Sequence, residues 1–203
     1  MNVISNILFW ISTGLLVPVI VLLIFFFIRA LILIGGFMGQ NMQTKKTTDI
    51  LYKDIEKLSP QTLEAFEMKL AGQQPSVLKA FAEKIIANRG DKGKLELMLS
   101  EYEIEADKNL ATSKVLTKMG PILGLMGTLI PMGPALVGLS TGDISSMAYN
   151  MQVAFATTVV GLVVSAIGFL TQMVKQRWAV KNLTILEYLA DVVKQQTSKT
   201  AES

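Results

Sequence analysis

The sequence predicts an all-α membrane protein with three transmembrane helices, of which the second and third continue as long cytoplasmic helices. Hydrophobic residues make up 51% of the 203 residues and mean hydropathy is +0.45, which is too apolar for a typical soluble domain. All nineteen Lys and Arg lie outside residues 1–28 and 119–174, and Asp143 is the only charged side chain within those two stretches. This segregation of charge indicates segments that lie in a bilayer.

The first predicted span covers residues 7–35, which are apolar apart from two hydroxyl residues and Arg29. About 20 such residues cross the hydrocarbon core of a bilayer. A cleaved signal peptide has a positive start and a shorter apolar run, whereas residues 1–6 carry no charged side chain, so we expect a retained anchor. Near the end of this run, the Arg29 side chain can reach headgroups or an anionic lipid; a role in a pore is the alternative.

Two further spans, residues 119–139 and 151–174, flank a short loop of residues 140–150 and form a helical hairpin. Basic residues follow the first span, precede the second and follow the third, while the loop carries only Asp143; these basic residues are Lys45, Lys46, Lys114, Lys118, Lys175, Arg177 and Lys181. The positive-inside rule therefore predicts an external N-terminus and a cytoplasmic C-terminus, in the inner membrane of the cell.

Residues 40–118 are predicted to form a cytoplasmic helical region. Ser59-Pro60 and Pro75-Ser76 are typical helix starts, and residues 89–93 are typical of a turn. From Lys94 to the second span there is no Pro or Gly, so that helix is expected to be continuous. Apolar residues at helical spacing after the third span predict a cytoplasmic helix and tail over residues 175–203.

Most enzyme classes are excluded by composition, since Cys and His are both absent and no nucleotide-binding or nucleophile motif occurs. We therefore expect no enzyme activity, no catalytic residue, no metal site and no cofactor. The acidic residues Glu101, Glu103, Glu105 and Asp107 alternate around a helix, which indicates a solvated face more than a metal site. The pI near 9.0 comes without a basic stripe, so nucleic acid is not an expected partner.

Small and hydroxylated residues recur at helical spacing along both hairpin spans. They are Gly120, Gly124, Gly127, Thr128, Pro131 and Pro134 in the second span, and Ala154, Thr158, Gly161, Ser165 and Gly168 in the third. Such faces are typical of ordinary helix packing in membranes. A pore is the alternative, because Thr128, Thr157 and Thr158 place hydroxyl groups at mid-span and prolines free backbone carbonyls nearby. A threonine hydroxyl can also bond to a carbonyl of its own helix, so the hydroxyls by themselves do not decide between packing and a pore.

Two motifs carry a family resemblance. Gly120–Leu129 (GPILGLMGTL) resembles the A-P-x-x-G-L-x-G-T-V signature in the second span of ExbB and TolQ, and Ala156–Leu162 (ATTVVGL) resembles their third-span A-T-x-x-G-L. The likeness extends from Lys94 to Lys181, with matching topology outside it. The chain thus resembles the MotA/TolQ/ExbB proton channel family, and three spans favour the ExbB/TolQ type over MotA.

The resemblance implies a pentamer whose second and third helices line a pore around a dimeric, single-span partner like ExbD, TolR or MotB. The pore threonines correspond to Thr128 and Thr158, with Thr157 beside them, and the proline to Pro121. Close-packing and pore-shaping positions are then Gly124, Gly127, Pro131, Gly161 and Ser165.

One departure from the family concerns charge. ExbB has a glutamate five residues before its third-span threonine, where this chain has Val153, with Gln152 beside it. No ionisable side chain occurs in residues 119–139 or 151–174, so the titrating group has to come from another chain. The family agrees, since its partner supplies an aspartate.

The predicted function is therefore the pore-lining subunit of a proton- or cation-driven motor. The alternative is a passive membrane scaffold that conducts no ions. A solute transporter is a weaker interpretation, because three spans without inverted repeats offer little for alternating access. The choice between proton and sodium, the process driven (import, envelope maintenance, motility or defence), the identity of the partner and the subunit number do not follow from the residues.

Overall fold

The computed structural model describes residues 2–58, 62–73 and 75–201. Within those ranges all regular secondary structure is helical, which confirms the predicted all-α class. The six helices are α1 (Asn2–Gly14), α2 (Leu16–Glu56), α3 (Leu63–Ala71), α4 (Val77–Ala87), α5 (Lys92–Thr141) and α6 (Ile144–Ala201).

Three helical segments are long and apolar enough to cross a membrane, as predicted, and they lie in Asn6–Phe37, Lys92–Thr141 and Ile144–Thr197. The second and third belong to α5 and α6, which also confirms that both helices continue well beyond their apolar parts. The first has a single irregular residue at Leu15, between α1 and α2, but helical hydrogen bonds continue on both sides of it, from the Leu15 N–H to the Ile11 carbonyl and from the Val19 N–H to the Leu15 carbonyl, each over 3.1 Å. Pro18 explains the irregularity, because it lacks the N–H group that would bond to the carbonyl of Gly14.

The chain forms two compact units. The membrane unit comprises Met1–Gly36 and Ala111–Gln172, and the polar unit comprises Phe37–Leu110 and Met173–Ser203. Both α5 and α6 contribute residues to each unit. α2 continues through Gly35 and Gly36 to Glu56, so the helix of the first span does not end with its apolar run.

In the membrane unit, the first span packs against both helices of the hairpin. Val19 and Leu23 are buried with Leu123 and Ile130 of α5. About two helical turns after Leu23, Ala30 is buried against Leu116 of α5 and Val164 of α6. Burial of these side chains against each other holds the three spans in one bundle.

The polar unit is built around a core of buried Leu, Ile, Val and Phe side chains from α2 to α6. The ring of Phe81 packs edge-on against Tyr102, with centroids 5.3 Å apart. Burial raises the pKa of the Tyr102 hydroxyl above its ordinary value, and a hydrogen bond with Asn182 opposes that shift. The hydroxyl is therefore a neutral, hydrogen-bonded part of this core.

Capping residues begin the helices of the polar unit where the sequence predicted. The Lys79 N–H donates to Ser76 Oγ over 3.1 Å and α4 starts at Val77, which confirms the helix start at Pro75-Ser76. The turn predicted over residues 89–93 is confirmed in part: it covers residues 88–90, and α5 already starts at Lys92, with Asp91 Oδ1 accepting from the Lys94 N–H. The other expected start, Ser59-Pro60, lies outside the described residues.

The acidic residues of α5 between 101 and 107 lie at or near the surface. Glu101 pairs with Lys84 over 3.8 Å, and Glu105 pairs with Lys108 over 3.9 Å. These contacts fit the predicted solvated face, where such ion pairs contribute little to stability.

Candidate ion pathway in the transmembrane hairpin

The two hairpin helices meet through glycines. Gly120 and Gly161 lie so close that a Cβ atom on either would be 2.6 Å from the carbonyl oxygen of the other. A Cβ on Gly168 would be 2.7 Å from the backbone nitrogen of Thr117. Only glycine permits this backbone-to-backbone approach. The small faces predicted from the sequence therefore pack against each other within one chain at these positions.

Thr157 belongs to the same helix contact. Its side chain lies against Gly127, where a Cβ would be 2.5 Å from Thr157 Oγ1, and the residue is only 7% exposed. The Thr157 hydroxyl is within hydrogen-bond distance of the carbonyls of Val153 and Ala154, at 3.0 and 2.9 Å. Of the three threonines predicted for the ion pathway, Thr157 is thus enclosed between the hairpin helices.

Thr128 and Thr158 are only half-buried. Thr128 Oγ1 donates to the Leu125 carbonyl over 2.7 Å, and Thr158 Oγ1 donates to the Ala154 carbonyl over 3.1 Å. A hydroxyl has one proton to donate and two lone pairs that accept. With the proton directed at its own helix, each of these side chains still offers an acceptor to a neighbouring group.

Both half-buried threonines face away from the first span. Met126 and Ile130 of α5, and Val160 of α6, pack in the cluster that contains the first span. Each is two residues from the corresponding threonine, which is about 200° around a helix. The first span therefore covers one side of the hairpin, and Thr128 and Thr158 lie toward the other.

The two threonines also lie at a similar depth. Gly124 approaches Thr158 and Gly127 approaches Thr157, so the antiparallel helices are aligned at this level. Thr128 directly follows Gly127, which places it within about one helical turn of Thr158 along the hairpin. The two acceptors can thus act on one group that approaches from the uncovered side.

A comparison with protein families gives a match to a sequence model of the MotA/TolQ/ExbB proton channel family over residues 71–187. This match covers more than half of the chain and includes both hairpin spans. The chain belongs to the MotA/TolQ/ExbB proton channel family. No curated protein and no solved structure matches the chain.

Membership of the MotA/TolQ/ExbB family confirms the resemblance read from the two motifs. It makes this chain a membrane-channel subunit of the ion-driven motor type, in a family of oligomeric channel assemblies and not of enzymes. The predicted site residues Thr128, Thr157 and Thr158 all lie inside the matched region.

The structure adds a role for Pro121, the proline of the family signature. Because Pro121 has no N–H, the carbonyl of Thr117 loses its usual partner four residues along the helix. Ser165 Oγ, from α6, donates to that carbonyl over 3.0 Å. Sequence reasoning had placed Ser165 among the packing residues, and it missed this bond because the pairing of residues 117 and 165 depends on how the helices align.

The remaining predicted positions are all inside α5, which stays helical through its prolines. Pro121 is exposed, whereas Gly124 and Pro131 are buried. Nothing closer than 3.5 Å would meet a Cβ on Gly124, so this glycine is less tightly packed than Gly120 or Gly161. Gly124 therefore permits the approach of the helices without being required for it.

Asp143, the only charged side chain of the hairpin, has a structural role. Its Oδ1 accepts a hydrogen bond from the Ser146 N–H over 3.0 Å and so caps the start of α6. Gly142 precedes it with φ of 77°, a conformation that glycine adopts easily. The Asp143 carboxylate is therefore engaged in the turn between the hairpin helices, and it lies outside residues 119–139 and 151–174.

Proposed function

We propose that this chain lines the pore of an inner-membrane motor in which proton or other cation flow moves a single-span ExbD/TolR/MotB-like partner. The observation that carries the proposal is the pair of half-buried threonines, Thr128 and Thr158, on the side of the hairpin that the first span leaves uncovered. Family membership supports it, because the family is one of proton channels.

The ionisable group of this motor belongs to the partner. Residues 119–139 and 151–174 contain no Asp, Glu, His, Lys or Arg, so this chain provides hydroxyls and backbone but no titrating side chain there. A carboxyl group on the partner's helix, an aspartate by analogy with the family, would supply the charge. In the absence of that partner we expect this chain to conduct no protons.

The threonine hydroxyls would sense the protonation state of that carboxyl. A neutral carboxyl has a proton to donate to the lone pairs of Thr128 or Thr158, whereas a carboxylate only accepts. To stabilise the carboxylate, a threonine has to turn its O–H away from its own helix carbonyl. Loss and gain of one proton then switches the hydrogen bonds between the two chains.

Directed motion follows from the electrostatics of the bilayer. A carboxylate is costly against apolar walls, and protonation from outside lowers that cost, so the neutral group can move past them. Release of the proton to the cytoplasm restores the charge and engages the next threonine pair. A membrane potential contributes about 2.3 kcal/mol per charge per 100 mV to each cycle.

The proposed assembly is a pentamer of this chain around a dimeric partner, as in the family the chain resembles. The proposed topology has the N-terminus outside and the C-terminus in the cytoplasm, because basic residues flank the spans on one side only. Residues 40–118 and 175–203 then form the cytoplasmic part, and residues 140–150 form an external loop.

The first experiment identifies the partner. An adjacent gene for a small protein with one apolar span containing Asp is the candidate, and it should co-purify with this chain. Its absence from the purified assembly would contradict the proposal.

The second experiment measures ion flow. The chain and its partner are reconstituted in vesicles with an internal pH-sensitive dye, under an imposed proton or sodium gradient. Thr128→Val and Thr158→Val should each reduce flux about tenfold or more, since each removes a hydrogen bond to an ionisable group. Thr184→Val is the matched control, because the Thr184 hydroxyl also donates to its own helix, over 3.1 Å to the Val180 carbonyl, but lies outside the spans.

Full flux in both pore variants would contradict the role of the threonines. A correctly assembled wild-type complex without flux under either gradient would favour the passive scaffold. In that case the close contact of Gly120 with Gly161 would serve only to pack the helices.

A further inference from the structure

A groove in the membrane unit lies between the first span and α5. Its volume is about 210 Å³, and its walls include Phe25, Phe26, Arg29, Val115 and Leu116. All of these residues belong to one compact unit. Of the seven lining residues, five are apolar, and the other two are Thr112 and Arg29, whose guanidinium is permanently charged.

Close packing of the residues next to the groove fixes its position. Ala30 is completely buried against Leu116, which is 1% exposed, and against Val164. Arg29 directly precedes Ala30, so the packing of Ala30 also fixes the position of the Arg29 backbone. Phe25 and Val115 remain largely exposed at the edges, which leaves the groove open to its surroundings.

Arg29 has no hydrogen bond and no ion pair with any other residue in the described ranges. A charge without a partner inside an apolar run is costly in a bilayer, and such residues usually find an anion. On α5, Lys114 and Lys118 lie just before the second apolar span, so basic side chains from two helices mark this level of the membrane. Under the positive-inside rule this level is the cytoplasmic membrane surface, where we expect phospholipid phosphates.

The shape and chemistry of the groove match an amphipathic anion. A guanidinium binds phosphate oxygens in a bidentate manner, while the aromatic and aliphatic walls suit a hydrocarbon chain. With a volume of about 210 Å³, the groove has room for a segment of one acyl chain. A simple phosphate ion would leave the apolar walls without a partner.

We propose that this groove binds one anionic phospholipid, with the phosphate at Arg29 and part of one acyl chain against Phe25, Phe26 and Val115. The lipid joins the first span to α5 and neutralises the one cation of the apolar run. This inference is independent of ion conduction by the hairpin.

The test uses the full chain in mild detergent, with dihexanoyl phosphatidylglycerol, dihexanoyl phosphatidylcholine and inorganic phosphate as separate probes. Binding is measured by native mass spectrometry and by the shift in thermal unfolding temperature. The phosphatidylglycerol probe should bind about tenfold more tightly than the zwitterionic lipid, and inorganic phosphate should not displace it.

Three variants separate charge from shape. Arg29→Gln should weaken binding of the anionic probe about tenfold, and Arg29→Lys should restore part of it. Val115→Phe keeps the charge but fills the groove, and it should also weaken binding. Lys118→Gln, which removes an exposed charge outside the groove, is the matched control and should change the affinity by less than about twofold.

Equal affinity of the wild-type chain and Arg29→Gln for the anionic probe would overturn the proposal. So would equal displacement by inorganic phosphate, which would assign the site to a free anion. A cross-link from a Val115→Cys variant to a second copy in native membranes would overturn it too, since the groove would then be filled by protein. The wild-type chain contains no cysteine, so a disulfide cross-link between two copies would have to form at position 115.

Discussion

Replacement of Gly161 by alanine should open the transmembrane hairpin, while the same change at Gly124 should be tolerated. A Cβ on Gly161 would be 2.6 Å from the Gly120 carbonyl oxygen and 2.9 Å from the Gly124 Cα. Both are backbone atoms that cannot rotate away. To reach an ordinary contact of 3.4 Å, the helices would have to separate by about 0.8 Å at this point. Overpacking of this kind costs about 2 kcal/mol.

The matched variant isolates this steric effect. A Cβ on Gly124 would meet only atoms at 3.5 Å, which is ordinary van der Waals contact. Both changes add the same methyl group to a helix interior, where alanine is preferred over glycine by up to about 1 kcal/mol. We therefore expect Gly124→Ala to remain within about 0.5 kcal/mol of the wild-type chain or to be slightly more stable.

The assay is unfolding of the chain in mixed micelles with increasing dodecyl sulfate. Because the chain has no cysteine, spin labels on Leu129→Cys and Phe155→Cys, both largely exposed, can report the separation of the two helices. Gly161→Ala should widen the label distance and shift the unfolding midpoint to lower detergent. Equal midpoints for both alanine variants, or a larger loss for Gly124→Ala, would refute the close contact as described.

Three further predictions concern hydrogen bonds. Ser165→Ala should destabilise the hairpin by about 1 kcal/mol, since it removes the donor to the carbonyl that Pro121 leaves free; Ser140→Ala, whose hydroxyl bonds only to its own helix, should have little effect in the same unfolding assay. Ser76→Ala should cost the polar unit about 1 kcal/mol through loss of the α4 cap, measured by thermal unfolding with circular dichroism. Since burial raises the pKa of Tyr102 in the folded chain, the stability it contributes is fully present below its ordinary pKa near 10 and is lost as pH rises through the folded value. Tyr102→Phe should therefore reduce the loss of stability between pH 9 and pH 11 (roughly one unit either side of an ordinary tyrosine), and an unchanged pH profile would contradict the burial argument.

The neighbouring threonines of the third span show which part of the predicted site only the structure could decide. Thr157 and Thr158 have the same chemistry and lie at the same depth, and the sequence predicted a role in the pathway for both. Adjacent side chains on a helix differ by about 100° in direction. That difference places Thr157 against Gly127 and leaves Thr158 half-buried on the other side. A thiol-reactive probe should therefore label Thr158→Cys faster than Thr157→Cys.

The first span shows a limit of a different kind. Its apolar run predicted a span over residues 7–35, and the structure has one helical span over Asn6–Phe37, but the helix continues beyond it to Glu56. Pro18 was a visible signal for the single irregular residue at Leu15, since proline leaves the carbonyl four residues earlier without its helical partner. The helix continues through Gly35 and Gly36 because a glycine lowers helix stability by only about 1 kcal/mol and does not by itself end a helix.

By itself, the sequence determined the three spans, the continuous α5 and α6 helices, the helix start at Ser76 and the family, because apolar length, capping residues and signature motifs are local properties. It also determined that residues 119–139 and 151–174 contain no titrating side chain. Only the tertiary structure decided that Gly120 meets Gly161, that Ser165 bonds to the carbonyl freed by Pro121, and that Thr157 is enclosed. Such contacts depend on the rotation and alignment of one helix against another, and they join residues thirty or more positions apart in the chain.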